Sequence, residues 1–202
     1  MAGRRREDRF EGRIAGFGTA SGTRVVVGMW ERSPLGRFAD VMVEDAAGHR
    51  LLLAPSDSVA DYVSSTYSFD EVRVVPVAWR KVDGGLAVEA GALHLRLTVG
   101  PVSALGMLLR LVPGRLATHP AWLRAIDPVA RVLVRGARTA GSAGGGRREH
   151  YGVTLARHLR AVEASDDGRD LGPMARLWPP VRFGFGSAPP SPSLVDVVTT
   201  IR

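Results

Sequence analysis

The chain has 202 residues, no cysteine and a formal net charge of +7. That length suits one ordinary domain, able to bury roughly 70% of its unfolded surface, and the missing cysteine excludes disulfides, thiolate zinc sites and cysteine nucleophiles. A single lysine, Lys81, stands against 26 arginines, and Asn and Gln are absent, which reads as the codon signature of a GC-rich genome and weakens arginine richness as an argument for nucleic acid.

Residues 1–9 read as a disordered tail, basic but followed by acidic residues rather than the apolar core of a signal peptide. From residue 10 the pattern is mainly β. "RVVVGMW" (Arg24–Trp30) and "ADVMVE" (Ala39–Glu44) read as strands from their β-branched content, and Asp45 to Gly48 read as a hairpin turn. "SVADYVSSTY" reads as a short helix in which Ser58 and Asp61 form a capping box and Val59, Tyr62, Val63 and Thr66 face inward. "EVRVVPV" (Glu71–Val77) returns to strand, with Pro76 marking an edge or a bulge because it cannot donate to a ladder. Asp83-Gly84 is a hairpin signal. In "LHLRLTV", Leu93, Leu95, Leu97 and Val99 fall on one face and His94, Arg96 and Thr98 on the other, so one wall is core and the other is wet or ligand-facing.

Residues 103–138 change character and read as a helical insertion broken at Pro113-Gly114, with Asp127-Pro128 restarting a second helix. The longest apolar run, Leu97 to Leu109, covers 13 residues and contains Gly100 and Pro101. A bilayer needs about 20 residues, so no transmembrane helix is expected and the default address is cytoplasmic. Residues 101–150 carry eight arginines against Asp127 and Glu149, a net +6 and nearly all of the excess charge. On a helical period Arg131, Arg135 and Arg138 share a face opposite Val129, Val132 and Leu133. That stripe fits either a solvated face or a docking surface for nucleic acid or anionic membrane. The segment lacks the Asn or Gln that would grip adenine and the aromatics that would stack on RNA.

The glycine loop "GSAGGGRR" (141–148) has the Gly141 and Gly146 spacing of a phosphate-binding loop, but Arg147 and Arg148 replace the Lys and the Ser/Thr hydroxyl that Mg²⁺ requires. Two readings stay open: a mobile linker, and an anion nest in which glycine amides and an arginine clamp hold an oxyanion. After it, residues around His158–Glu163, "VRFGF" (Val181–Phe185) and "SLVDVVTTI" (Ser193–Ile201) read as strands, with a turn at Asp167-Gly168. On the "VRFGF" strand Arg182, Gly184 and Gly186 would share one face and form the floor and rim of a cavity. The fold class is therefore α+β: a single β-rich domain over 10–202, a curved or closed, barrel-like antiparallel sheet carrying the insertion at 103–138 and the loop at 141–146.

"SPLGRFADVMVE" followed by a helix ending in a Tyr and by paired strands resembles the opening of acetoacetate-decarboxylase-like proteins, over Ser33 to about Val99. The resemblance implies a β fold with an interior pocket. The family's Schiff-base lysine, activated by a neighbouring lysine, has no counterpart, because Lys81 stands alone. The expected function is a cytoplasmic small-molecule binder whose ligand is partly apolar and carries an acidic group. The expected ligand-binding residues are Arg138, Gly144, Gly145, Gly146, Arg147, Arg148, Arg182, Gly184 and Gly186. Two alternatives remain: an enzyme on the same cavity with Glu149, Tyr151 or His158 in acid–base roles, and an interaction protein with a basic docking face. No cofactor is expected. The five histidines are scattered and form no H-E-x-x-H or H-x-H, so no metal site is expected either.

Overall fold

The computed structural model describes residues 7–113, 117, 122, 140–143, 147–184 and 189–202. Ten strands form the main path of one sheet, which curls into a half-barrel, with two short helices among the described residues. In chain order these are β1 (Asp8–Thr19), β2 (Arg24–Arg32), β3 (Phe38–Glu44), β4 (Arg50–Ala54), α1 (Asp57–Ser64), β5 (Glu71–Val74), β6 (Val77–Val82), β7 (Gly85–Ala90), β8 (Leu93–Val102), α2 (Ala104–Leu109), β9 (Ala140–Ala143), β10 (Arg147–Asp166), β11 (Arg169–Asp170), β12 (Met174–Ala175) and β13 (Ser193–Ile201). The spatial order is β5-β4-β3-β2-β1-β13-β10-β8-β7-β6. The expected curved sheet is thus present, with one correction: β4 and β5 pair in parallel. A parallel pair needs a crossover rather than a tight turn, and α1 supplies it.

The two ends of the sheet, β5 and β6, are consecutive in sequence and joined only by Val75 and Pro76. The Val75 amide donates to Ala54 O on one side of this corner, and Pro76 O accepts from Gly91 N on the other. Pro76, expected at an edge or a bulge, stands where the two edges meet. The Arg37 guanidinium stacks 4.2 Å from the ring centroid of Trp79, tying the β2–β3 connection to β6 across the same seam.

Strand alternation sorts the side chains into two layers. Val25, Val27, Met29, Ala39 and Val41 from one end of the sheet share a core with Leu86, Val88, Leu95 and Leu97 from the other. Only the concave side can bring both ends together, so this core fills the inside of the half-barrel. The alternation read in "LHLRLTV" holds: Leu93, Leu95 and Leu97 are buried and His94 and Arg96 exposed. A second, smaller core lies on the convex side, where Phe10, Phe38 and Leu52 meet Val59, Ala60 and Val63 of α1.

Three local readings change. The cap of α1 is Ser56, whose hydroxyl accepts from Val59 N, not Ser58. The strand expected over 71–77 is split at Val75-Pro76 into β5 and β6. Residues 181–184 of "VRFGF" form no strand: two prolines precede them, and Gly184 adopts φ of +149°, outside the extended range. Of the glycine segment, Ala143 pairs with Arg147 and β9 runs antiparallel to β10, where a phosphate-binding loop would lead from a strand into a helix; residues 144–146 lie outside the described residues. Of the helical insertion, α2 is present, capped by Ser103. The rest, including the Arg131–Arg138 stripe, lies outside the described residues apart from positions 117 and 122.

Candidate functional site

Glu149 and Tyr151, two residues apart on β10, point the same way as Ile201 and Thr199, their partners on β13. Thr199 in turn pairs with Phe10 of β1, which belongs to the convex core. Tyr67 reaches the same place from the other side. It follows α1, its amide donating to Val63 O, and the next amide, Ser68 N, donates to Phe183 O at 2.6 Å. The Tyr67 hydroxyl lies 2.8 and 3.0 Å from the two Glu149 carboxylate oxygens and 2.5 Å from the Tyr151 hydroxyl. A phenol has one proton to give. If Tyr67 donates to Glu149, Tyr151 donates to Tyr67.

Glu149 is 1% exposed. Burial pushes both tyrosines well above their ordinary pKa of 10. The Tyr151 and Glu149 charges add to the effect on Tyr67, and the Glu149 charge adds to it on Tyr151. Both phenols therefore keep their protons and act as donors at neutral pH.

A second buried acid lies in the same convex layer. Asp40 on β3 is buried, and its Oδ1 accepts from the Trp30 indole at 3.1 Å. Its Oδ2 has no hydrogen-bond partner among the described residues. Burial raises the carboxyl to about 7, against a smaller opposing effect of the Trp30 bond. Its charge reaches Tyr151, where it adds to the upward shift of the phenol. The ring of Trp30 packs edge-on against Phe10, 5.6 Å between centroids, which closes the layer between Asp40 and β13.

Of the residues singled out from sequence, the fold brings Glu149, Tyr151 and Gly184 together around Tyr67. A Cβ on Gly184 would sit 3.4 Å from Tyr67 Cδ1, so the glycine packs against that ring and forms no cavity floor on a strand. His158 does not join them. It is exposed and lies nine positions along β10 from Glu149, roughly 30 Å away at strand rise. Arg182 is engaged elsewhere: its amide donates to Glu44 Oε2 at 2.7 Å and its Nε to Oε1 at 3.1 Å. Glu44 is wholly buried and also faces Arg24 Nη2 at 3.4 Å. Arg147 and Arg148 pair through their backbones with Ala143 and Ser142. Arg138, Gly144, Gly145, Gly146 and Gly186 lie outside the described residues.

Sequence reasoning missed Tyr67, Asp40, Trp30 and Glu44 as site residues. A signal was present for two of them. In "FADVMVE" the acids alternate with Phe38 and Met42, so a strand that buries those must bury Asp40 and Glu44 as well. An open groove of about 520 Å³ lies elsewhere, over β7, β8 and β10, with Arg80, Glu89, Arg96 and Glu163 on its walls. Mixed charges on an open face are what solvation alone produces. Among the described residues no cluster of three or more His, Asp or Glu side chains could hold a metal, and no helix is long and apolar enough to cross a membrane. Lys81 is exposed on β6, outside this cluster.

No protein-family model matches the sequence, and no curated protein matches it. Among solved structures, the chain is similar to acetoacetate decarboxylase from Legionella pneumophila subsp. pneumophila str. Philadelphia 1, at 10% identity and a TM-score of 0.46, over 99% of this chain and 89% of that one. The likeness is one of fold.

Proposed function

We propose that the chain binds a partly apolar small molecule on the convex side of the sheet, against the cluster of Tyr67, Glu149 and Tyr151. The observation that carries this reading is the grouping of the buried Glu149 carboxylate with the hydroxyls of buried Tyr151 and half-buried Tyr67, which packs against the convex core. A packed core gains nothing from such a group unless it is fully satisfied, and an apolar replacement of similar volume is often at least as stable. Binding sites, by contrast, combine apolar walls with a few convergent polar groups. An acidic group on the ligand fits the net positive charge of residues 101–150, the segment of the sequence that ends at this cluster. A cytoplasmic address belongs to the same reading.

A second reading, catalysis at this site, is favoured by Asp40. A carboxyl raised to about 7 can take or give a proton at neutral pH. Native mass spectrometry of freshly purified protein tests the binding reading. A small molecule should co-purify, and Tyr67→Phe and Glu149→Gln should each lose most of it while keeping the fold. Ligand retained at full occupancy in both variants would end the proposal. Salt-dependent capture of DNA or anionic vesicles, with no bound small molecule, would favour the docking alternative instead.

A further inference from the structure

Helix α2 turns its large apolar side chains outward. Gly106 is its buried residue, and a Cβ there would lie 2.2 Å from Ala156 O of β10, so the helix rests on the backbone of that strand. At roughly 100° per residue, Ala104, Met107, Leu108 and Leu111 fall within about 100° of arc on the opposite face. Leu111 continues the turn beyond α2, its amide donating to Leu108 O. Met107 is 60% exposed, Leu108 53% and Leu111 79%. An ordinary surface helix turns such residues toward the core. Here the inward place is held by a glycine, and three large side chains stand together in solvent. Single exposed apolar residues need no explanation, but a contiguous group of them marks an interaction surface.

The charge of the sequence around α2 restricts what can cover this face. Residues 104–138 hold six arginines, Arg110, Arg115, Arg124, Arg131, Arg135 and Arg138, against a single acid, Asp127, a net +5. A second copy of the chain would set this charge against its own like. Nucleic acid would take up the charge but gain nothing from three aliphatic side chains. An anionic lipid surface uses both features: acyl chains receive the apolar face, and headgroup phosphates attract arginine. Arg110, exposed between Leu108 and Leu111 in sequence, can lay its stem along the lipid and keep its guanidinium among the phosphates. At six residues α2 is too short to span a bilayer, so it would lie within the interface.

We propose that the outer face of α2 docks on an anionic membrane surface by inserting Met107, Leu108 and Leu111. This does not rest on the small-molecule reading above.

The chain has no cysteine, so Ala104→Cys, exposed on the same face, carries one environment-sensitive fluorophore without removing an anchor. Vesicles of equal parts phosphatidylglycerol and phosphatidylcholine should shift its emission to the blue, and the same label at Lys81→Cys on β6 should not respond. Vesicles of phosphatidylcholine alone should bind at least about tenfold more weakly. Raising salt from about 0.05 to 0.5 M should weaken binding to the anionic vesicles several-fold. The double variant Met107→Ser/Leu111→Ser should bind them at least about tenfold more weakly. Its melting temperature should stay within about 2 °C of the parent, as for exposed side chains. Three results overturn the proposal. A much larger fall in melting temperature would show that the chain itself covers this face. A dimer that the double variant separates would show a second copy there. Capture of duplex DNA, with no blue shift on vesicles, would show that only the charge is used. Tyr67→Phe should leave vesicle binding unchanged, so loss of the co-purifying molecule tests the binding reading and not this one.

Discussion

A single buried carboxyl makes the fold sensitive to pH in a defined direction. Asp40 titrates near 7 in the folded chain and near 3.8 when free. The native state therefore holds the proton longer than the unfolded state does. Below about pH 4 both states are protonated and the group has no effect on stability. Between the two values stability falls as pH rises, and above 7 the full penalty applies, on the order of 4 kcal/mol. Urea unfolding of Asp40→Asn should accordingly show greater stability than the parent at pH 8, little difference at pH 4, and a flatter profile between. Identical profiles would mean that Asp40 is solvated or paired with a cation. At this scale the sequence was partly legible. Glu149 and Tyr151 stood out because they follow a basic glycine loop, and the fold joins them. The partner that links them, Tyr67, comes from 82 residues away in sequence and is set by tertiary contact alone. His158 shares a strand with Glu149, but a strand separates residues by roughly 3.3 Å per position, so proximity in sequence became distance in space.

At the scale of elements, alternation and turn chemistry identified β2, β3, β8, β13 and the hairpins, because each depends on neighbours two to four residues apart. The helix α1 was legible too, but its start was not. Ser56 and Ser58 both suit an N-cap, and their hydroxyls lie 3.1 Å apart. Only the structure shows Ser56 accepting from Val59 N. Ser56→Ala should therefore lower stability by about 1 kcal/mol, and Ser58→Ala by a few tenths at most. Thermal melts of the two variants decide between the caps, and the reverse ranking would restore the register read from sequence. Strand β1 was harder to see, since it carries Gly12, Gly16 and Gly18. Gly12 and Gly18 reflect close approach of backbones: a Cβ on Gly12 would lie 2.0 Å from Met29 O, and one on Gly18 2.3 Å from Arg176 O. "VRFGF" misled in the opposite sense. Its alternating Val181, Phe183 and Phe185 look like a strand, yet Phe183 is buried by stacking on Phe69, 5.6 Å between centroids, without any ladder.

For the molecule as a whole, curvature was readable from many short strands and tight turns, while the strand order was not, because it depends on which distant edges meet. The seam at Val75-Pro76 joins the two ends of the sheet by a two-residue link. Lengthening that link should loosen the closure. Four Gly/Ser residues inserted between Val75 and Pro76, at about 1 kcal/mol of added closure entropy, should lower the melting temperature by roughly 2–4 °C for a chain of this size. The same insertion in the Asp83-Gly84 turn should cost less, because that hairpin closes nothing else. Equal effects would mean that the seam is not under tension. Loosening would also free an edge that presents Val72 and Val74, 43% and 48% exposed, to other chains. The position of β13 carries a consequence of its own. It lies between β1 and β10, pairing Asp8 with Ile201 on one side and Glu149 with Ile201 on the other. During synthesis β1 emerges well before β13, so the middle of the sheet stays open until β13 has left the ribosome. The first strand must wait, unpaired on that side, for a partner about 190 residues later, and contacts of that range form slowly. Until then the nascent chain carries two bare inner edges, which makes the interval before its last strand the period when it is most exposed to wrong partners.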